Sequence, residues 1–305
     1  MHDSLNAVVL SDILFNAGDI AWAEIHLVGQ YGLKTTYQVI DCNHTMAGRY
    51  QLGTHNTTDI TGTAGNKNLH TTILPPSGMM HGMRYQAVTS VAAAGHLIAQ
   101  AVAAALSREP VVWLLSGGSA IGPQVAAAKE LESLNLPLEH LTITLIDERY
   151  GQPGHADSNW RQLESQGFKV PGARLLPVLS TDQPPGAVAQ RWWYQLESLL
   201  QTSQSLGILG IGPDYHIAGI KPDSPATHTD EPVCAYNWPD YRRITLTAQG
   251  LSRLDRLLVY ACGAAKWPVL EHLDSSQASV AAEPSQWLKN FANVTILTDK
   301  PERLT

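Results

Sequence analysis

Val111-Val112-Trp113-Leu114-Leu115-Ser116-Gly117-Gly118-Ser119-Ala120 is the stretch on which the reading of the fold turns. Its apolar opening is short, unbroken and closed by glycine, the pattern of a strand buried on both faces. Ile121–Leu134 then resumes with helical composition. Strand, glycine turn and helix open a βαβ unit. Two glycines at that turn let backbone N–H groups approach an anion closely, helped by the helix dipole. A plain tight turn would read the same way. No lysine follows the glycines, so this is not the phosphate loop of a nucleotide-binding protein.

The same rhythm continues outward. Val91, Ile98, Val102 and Leu106 lie at helical spacing behind the capping pair Thr89-Ser90. Leu141–Ile146 reads as a strand, Ala187–Leu200 as a helix and Leu206–Ile211 as a strand. Ile244–Thr247 and Leu257–Ala261 read as strands, Ala264–Leu273 as a helix and Val294–Leu297 as a last strand. This alternation predicts an α/β fold, an open, mostly parallel, Rossmann-like sheet with helices on both faces. Ligands of such sheets bind beyond the carboxyl ends of the strands, which singles out the loops Ser116–Ala120, Asp147–Asn159 and Gly212–Lys221. There is no internal repeat.

Upstream of Met83 the texture changes. Residues 44–70 are crowded with Asn, Thr, His and Gly and show little periodicity. Ile20–Val28 suits a strand or a helical turn. We therefore expect an irregular N-terminal extension over 1–82 and a regular α/β domain over 83–305. A start at Met79, Met80 or Met83 is a further expectation. His2, His26, His44, His55, His70 and His81 lack metal-ligand spacing and read as solvent-facing, so no metal is expected.

Composition bounds the function. Of 305 residues, 44% are apolar and 15% charged, enough for a real core, and the net charge is −7 with no basic run. That balance argues against nucleic acid and anionic membranes as partners. Cys42, Cys234 and Cys262 are odd in number and lack CxxC spacing, which signals neither a disulfide framework nor zinc and suits a cytoplasmic setting. The longest apolar candidate, Val91–Leu106, is interrupted by Gly95, His96 and Gln100, and the N-terminus does not resemble a signal peptide. Composition leaves the oligomeric state open.

Chemistry concentrates at the strand ends. In Asp147-Glu148-Arg149, Arg149 suits a bidentate grip on phosphate, and Asp147 suits a sugar hydroxyl or the work of a base. Asp157-Ser158-Asn159 reads as a helix cap and His155 as an ordinary loop histidine. In Gly210–Gly219 the third glycine of a dinucleotide fingerprint would fall at Tyr215, so that fingerprint fails. What remains is Asp214 two residues before His216, a carboxylate able to orient a general base. Lys266 opens a helix after a strand and could reach a phosphate, although a solvated helix lysine would look alike.

Taken together, these motifs resemble the family of 6-phosphogluconolactonases and glucosamine-6-phosphate deaminases, a sugar-phosphate isomerase type of fold. The family pattern runs SGGST, DER with H-x-DSN, GxGxDGHxA, R-x-TLT and GxxK, each at a strand end. Here it stands in order as Ser116–Ala120, Asp147–Arg149 with His155–Asn159, Gly210–Ala218, Arg243–Thr247 and Gly263–Lys266. The resemblance implies hydrolysis of 6-phosphogluconolactone, a phosphorylated sugar lactone of the pentose phosphate pathway, without a cofactor. His216 would activate water and Asp214 would be its neighbouring acid. Gly117, Gly118, Ser119, Arg149 and Lys266 would cradle the phosphate, with Arg243 a further candidate. Ala120 departs from the usual threonine, and Tyr215 from the usual glycine, where a tyrosine is expected to narrow the pocket, change the substrate or weaken activity. The deaminases carry DEY and a glutamate five residues after the histidine. This chain has Arg149 and Lys221 there, which favours the lactonase side. A binding protein without turnover is the other alternative.

Overall fold

The computed structural model of the chain describes residues 82–179 and 183–300. The expected N-terminal extension, the Ile20–Val28 segment, the six upstream histidines and Cys42 lie outside the described residues.

The elements follow in chain order. They are β1 (Gly82–Ala87), α1 (Val91–Leu106), β2 (Val111–Leu115), α2 (Ile121–Ser133), β3 (Leu141–Leu145) and β4 (Asp147–Arg149). Then come α3 (Asn159–Ser165), β5 (Arg174–Leu175), α4 (Pro185–Leu200), β6 (Gln204–Gly210), β7 (Val233–Asn237) and β8 (Arg242–Leu246). The short α5 (Ala248–Leu251), β9 (Arg256–Tyr260), α6 (Trp267–Ser275) and β10 (Asn293–Thr298) complete the chain.

Seven strands form one sheet in the order β1-β10-β9-β6-β2-β3-β5, with every pairing parallel. Crossovers between parallel strands are right-handed. The chain runs one way across the sheet from β1 to β2 to β3 to β5, so α1, α2 and α3 share a face. It runs the other way from β5 to β6 and from β9 to β10, so α4 and α6 cover the opposite face. The packing of α1 on α2 and of α2 on α3 agrees with this.

The quoted stretch behaves as its composition dictates. All of β2 is buried, and Trp113 and Trp192 are fully enclosed. Burying a side chain of that size contributes about 1.5–3 kcal/mol, so the central strands dominate the core. The Trp192 indole N–H donates to the Thr144 hydroxyl at 3.0 Å, satisfying a polar handle inside the core. Ser90 caps α1 as its position predicts, accepting from the Ala93 N–H at 3.0 Å.

The structure corrects the sequence reading at one level of organisation. Asp147–Arg149, read as loop, is strand β4. It pairs with β8, which pairs with β7, to make a second, antiparallel three-stranded sheet packed on α4. Residues 244–247, read as part of the parallel sheet, therefore belong to this smaller one. Strand β7 and the edge strands β1 and β5 were not anticipated. A three-residue strand exists only because a partner some 95 positions away supplies its ladder, and no local pattern records that.

Candidate active site

β2 and β6 are neighbours. The chain leaves β2 towards β3 and leaves β6 towards β9, so the loops after them diverge and open a crevice. There the structure has a cleft of about 320 Å³. The Ser116–Ser119 turn forms one wall and β4 another, with Arg243 of β8 beside it. The loop after β6 supplies His216 and Lys221, and Lys266 enters after β9.

The glycine turn is held by a buried side chain. Gln124 of α2 accepts from the Ser116 N–H at 2.9 Å and donates to the Ser116 carbonyl at 2.7 Å. Gly118 has φ 65°, the left-handed region that costs a side-chain-bearing residue strain. A Cβ on Gly117 would collide with the Asn159 amide. Ala120 is fully buried in the core, and Ser119 carries the hydroxyl that lines the cleft.

The antiparallel sheet sets the cations. Register places Arg149 opposite Arg243, and both guanidinium groups lie over the Tyr241 ring, 4.9 and 5.6 Å from its centroid. Arg149 Nη1 donates to the Asp157 carbonyl at 2.9 Å, and Arg243 Nη2 to Asp240 at 2.7 Å. The Nε of each arginine is buried without a hydrogen-bond partner among the described residues. Buried donors without acceptors are costly. Glu148 has a structural task instead. It accepts from the backbone N–H groups of Arg149, Asn159 and Trp160 and from the Ser158 hydroxyl, which fixes the start of α3. Burial pushes the Asp147 carboxyl above the ordinary range, against the pull of Arg149, Arg243 and His216. The Asn159 amide donates to it at 3.2 Å.

The loop after β6 is tightly tethered. Ile217 and Ile220 are fully buried. The Gly212 N–H donates to the His216 carbonyl at 2.9 Å, the Gly219 N–H to the Thr245 hydroxyl at 3.0 Å, and the Tyr236 hydroxyl to the Gly219 carbonyl. Tyr215, Ala218 and Asp223 all have positive φ, a concentration of strain that recurs at functional loops. Within this frame His216 Nδ1 meets Asp214 Oδ1, and Lys221 Nζ donates to Asp214 Oδ2 at 3.1 Å. Burial raises the Asp214 carboxyl, but its hydrogen bonds to His216 and Lys221, and their charges, outweigh that and hold it well below the usual range. Lys266 Nζ donates to the Ile211 carbonyl. Burial lowers its pKa, with the Asp214 charge pulling it back up.

Of the residues singled out from sequence, Gly117, Gly118, Ser119, Asp147, Arg149, His216, Arg243 and Lys266 all line this one cleft. Asp214 stands beside His216 rather than on the lining. Tyr215 does not narrow the pocket. Its ring stacks on His272 of α6 with centroids 4.4 Å apart, and its backbone adopts the left-handed angle a glycine would take freely, φ 61°. His155 bonds the Arg149 carbonyl at 2.9 Å and stays off the lining. Sequence reasoning missed Asp240 and Tyr241, named Gly212 and Lys221 only as parts of their loop, and took Asn159 for a cap only. Ser158 is the cap, accepting from the Arg161 N–H at 3.1 Å. The i,i+3 spacing of Asp240 and Arg243 was a usable signal, whereas nothing local marked Tyr241. Among the described residues no group of His, Cys, Asp and Glu is disposed to hold a metal ion.

A histidine–carboxylate pair and two arginines thus stand together at the switch point of a parallel sheet. The family model for glucosamine-6-phosphate isomerases and 6-phosphogluconolactonases matches residues 86–297, and the chain belongs to that family. A 6-phosphogluconolactonase of Nostoc sp. is 25% identical over 195 residues, covering 61% of this chain and 80% of the relative. The crystal structure of a 6-phosphogluconolactonase from Shewanella baltica superposes with TM-score 0.62 at 20% identity, covering 72% of this chain and 99% of the other. A monomeric glucosamine-6-phosphate deaminase superposes with TM-score 0.58 at 20% identity, covering 72% and 98%, so the fold is common to both branches.

Proposed function

We propose that this chain hydrolyses 6-phosphogluconolactone to 6-phosphogluconate in the pentose phosphate pathway, with residues 83–305 as the catalytic domain and 1–82 as an extension. The observation that carries the reading is His216, paired with Asp214, in a cleft that Arg149, Arg243 and Lys266 also line. Arg149, Lys266 and the Gly117–Ser119 turn take the phosphate dianion, with Arg243 behind Arg149. Asp214 holds the proton on His216 Nδ1 and leaves the Nε2 lone pair for water. Nε2 takes a water proton as the hydroxide oxygen bonds to the lactone carbonyl carbon. The tetrahedral oxyanion then collapses, the ring C–O bond breaks, and the imidazolium returns its proton to the departing ring oxygen. A lactone is an activated ester, so a base, a positioned water and local cations suffice. The deaminase alternative needs a carboxylate five residues after the histidine, and Lys221 stands there. The setting proposed with this reaction is the cytoplasm, where sugar phosphates are metabolised.

The test is hydrolysis of freshly made 6-phosphogluconolactone by the full chain, with spontaneous opening subtracted. His216→Gln should lower kcat by about 10²–10⁴-fold while leaving KM nearly unchanged. Binding of 6-phosphogluconate without turnover would instead identify a sugar-phosphate-binding protein. Ammonia release from glucosamine-6-phosphate would move the chain to the deaminase branch.

A further inference from the structure

Lys221 lies at the meeting point of the histidine and its carboxylate, and its side chain is only 13% exposed. Its Nζ is 3.1 Å from Asp214 Oδ2 and 3.0 Å from His216 Nδ1. The Asp214 side chain is 43% exposed, so solvent competes for it. We propose that Lys221 is a positioning residue: it clamps Asp214 through Oδ2, and the clamped carboxylate keeps His216 in the Nδ1–H tautomer. This rests on the reading of His216 as the base.

A single ring nitrogen carries either a proton or a lone pair. Nδ1 therefore cannot donate to Asp214 and accept from Lys221 at once. Because the ammonium already has Oδ2 as an acceptor, Nδ1 keeps its proton for Oδ1, and Nε2 stays free as the acceptor that water needs. The lysine itself is anchored. Its neighbour Ile220 is fully buried, and its own N–H donates to the Tyr236 hydroxyl at 3.3 Å. The other charged groups around the pair have their own attachments. Lys266 bonds the Ile211 carbonyl, Asp240 is bonded by Arg243, and Asp147 is bonded by Asn159. None of these reaches Asp214 Oδ2. Without Lys221 one carboxylate oxygen would turn to water, and both imidazole tautomers would become populated.

The test compares full-length wild type, Lys221→Met and Lys221→Arg. Lys221→Met should lower kcat about 10–100-fold while KM, and the Kd for 6-phosphogluconate, stay within about twofold. Lys221→Arg should recover part of the loss. Long-range ¹H–¹⁵N spectra of histidine-labelled protein, with His216 assigned through His216→Gln, should show one Nδ1–H tautomer in wild type and a mixture in Lys221→Met. An unchanged tautomer in Lys221→Met would overturn the proposal. So would raised KM and lost product binding at constant kcat, which would make Lys221 a substrate contact. Wild type without lactone turnover would sink the proposed function alone, because the spectra judge Lys221 without it.

Discussion

Gly212 directly follows the β6–loop junction, and a Cβ there would collide with both His216 Nδ1 and Asp214 Oδ1. Gly210, by contrast, would place a Cβ 3.6 Å from the Ser119 hydroxyl, an ordinary contact. Gly212→Ala should therefore lower kcat/KM by at least about 100-fold through misplacement of the pair, with the circular dichroism spectrum unchanged. Gly210→Ala should stay near wild type in the same assay, so equal losses at both positions would refute the collision argument. The two glycines look identical in sequence. Their failed match to a dinucleotide fingerprint said only what the loop was not. His216, Asp214, Arg149 and Lys266 were singled out because their loops follow strands and match the family's motifs in order. Lys221 was legible only as a departure, since its meaning lies in reaching Asp214.

At the scale of elements, the closest helix contact is α1 on α2. A Cβ on Gly95 would lie 2.5 Å from the Ala126 Cβ and 3.0 Å from the Pro123 carbonyl oxygen. Alanine in a helix gains about 1 kcal/mol over glycine. Overpacking costs about 1–3 kcal/mol, and here the opposing atoms are a Cβ and backbone, which cannot rotate away. Gly95→Ala should accordingly lower the urea midpoint, and an unchanged or higher midpoint would show that α1 can shift. The helices α1, α2, α4 and α6 and the inner parallel strands announced themselves through local periodicity and caps. The antiparallel sheet did not. β4 pairs with β8 and places Arg149 opposite Arg243, and this long-range register brings two arginines far apart in sequence together.

For the whole molecule, the net charge of −7 coexists with a cleft that gathers Arg149, Arg243, Lys221 and Lys266. Ligand binding to the folded state alone stabilises by mass action. At about 100 times its Kd, 6-phosphogluconate should add about 2.7 kcal/mol, read as a higher Tm by calorimetry. Arg149→Met should abolish most of that rise, and an undiminished shift would place the phosphate elsewhere. The sequence by itself determined the α/β class, the central strands, the glycine turn and most of the charged residues of the cleft. These are local properties of hydrophobic spacing, capping and residue chemistry. Only the tertiary structure decided that β4 is a strand, that the arginines share the Tyr241 ring, that Tyr215 stacks outside the pocket and that Lys221 bridges to the histidine's carboxylate. Each of those depends on segments distant in sequence being packed against one another, and such contacts leave no periodic trace in the chain.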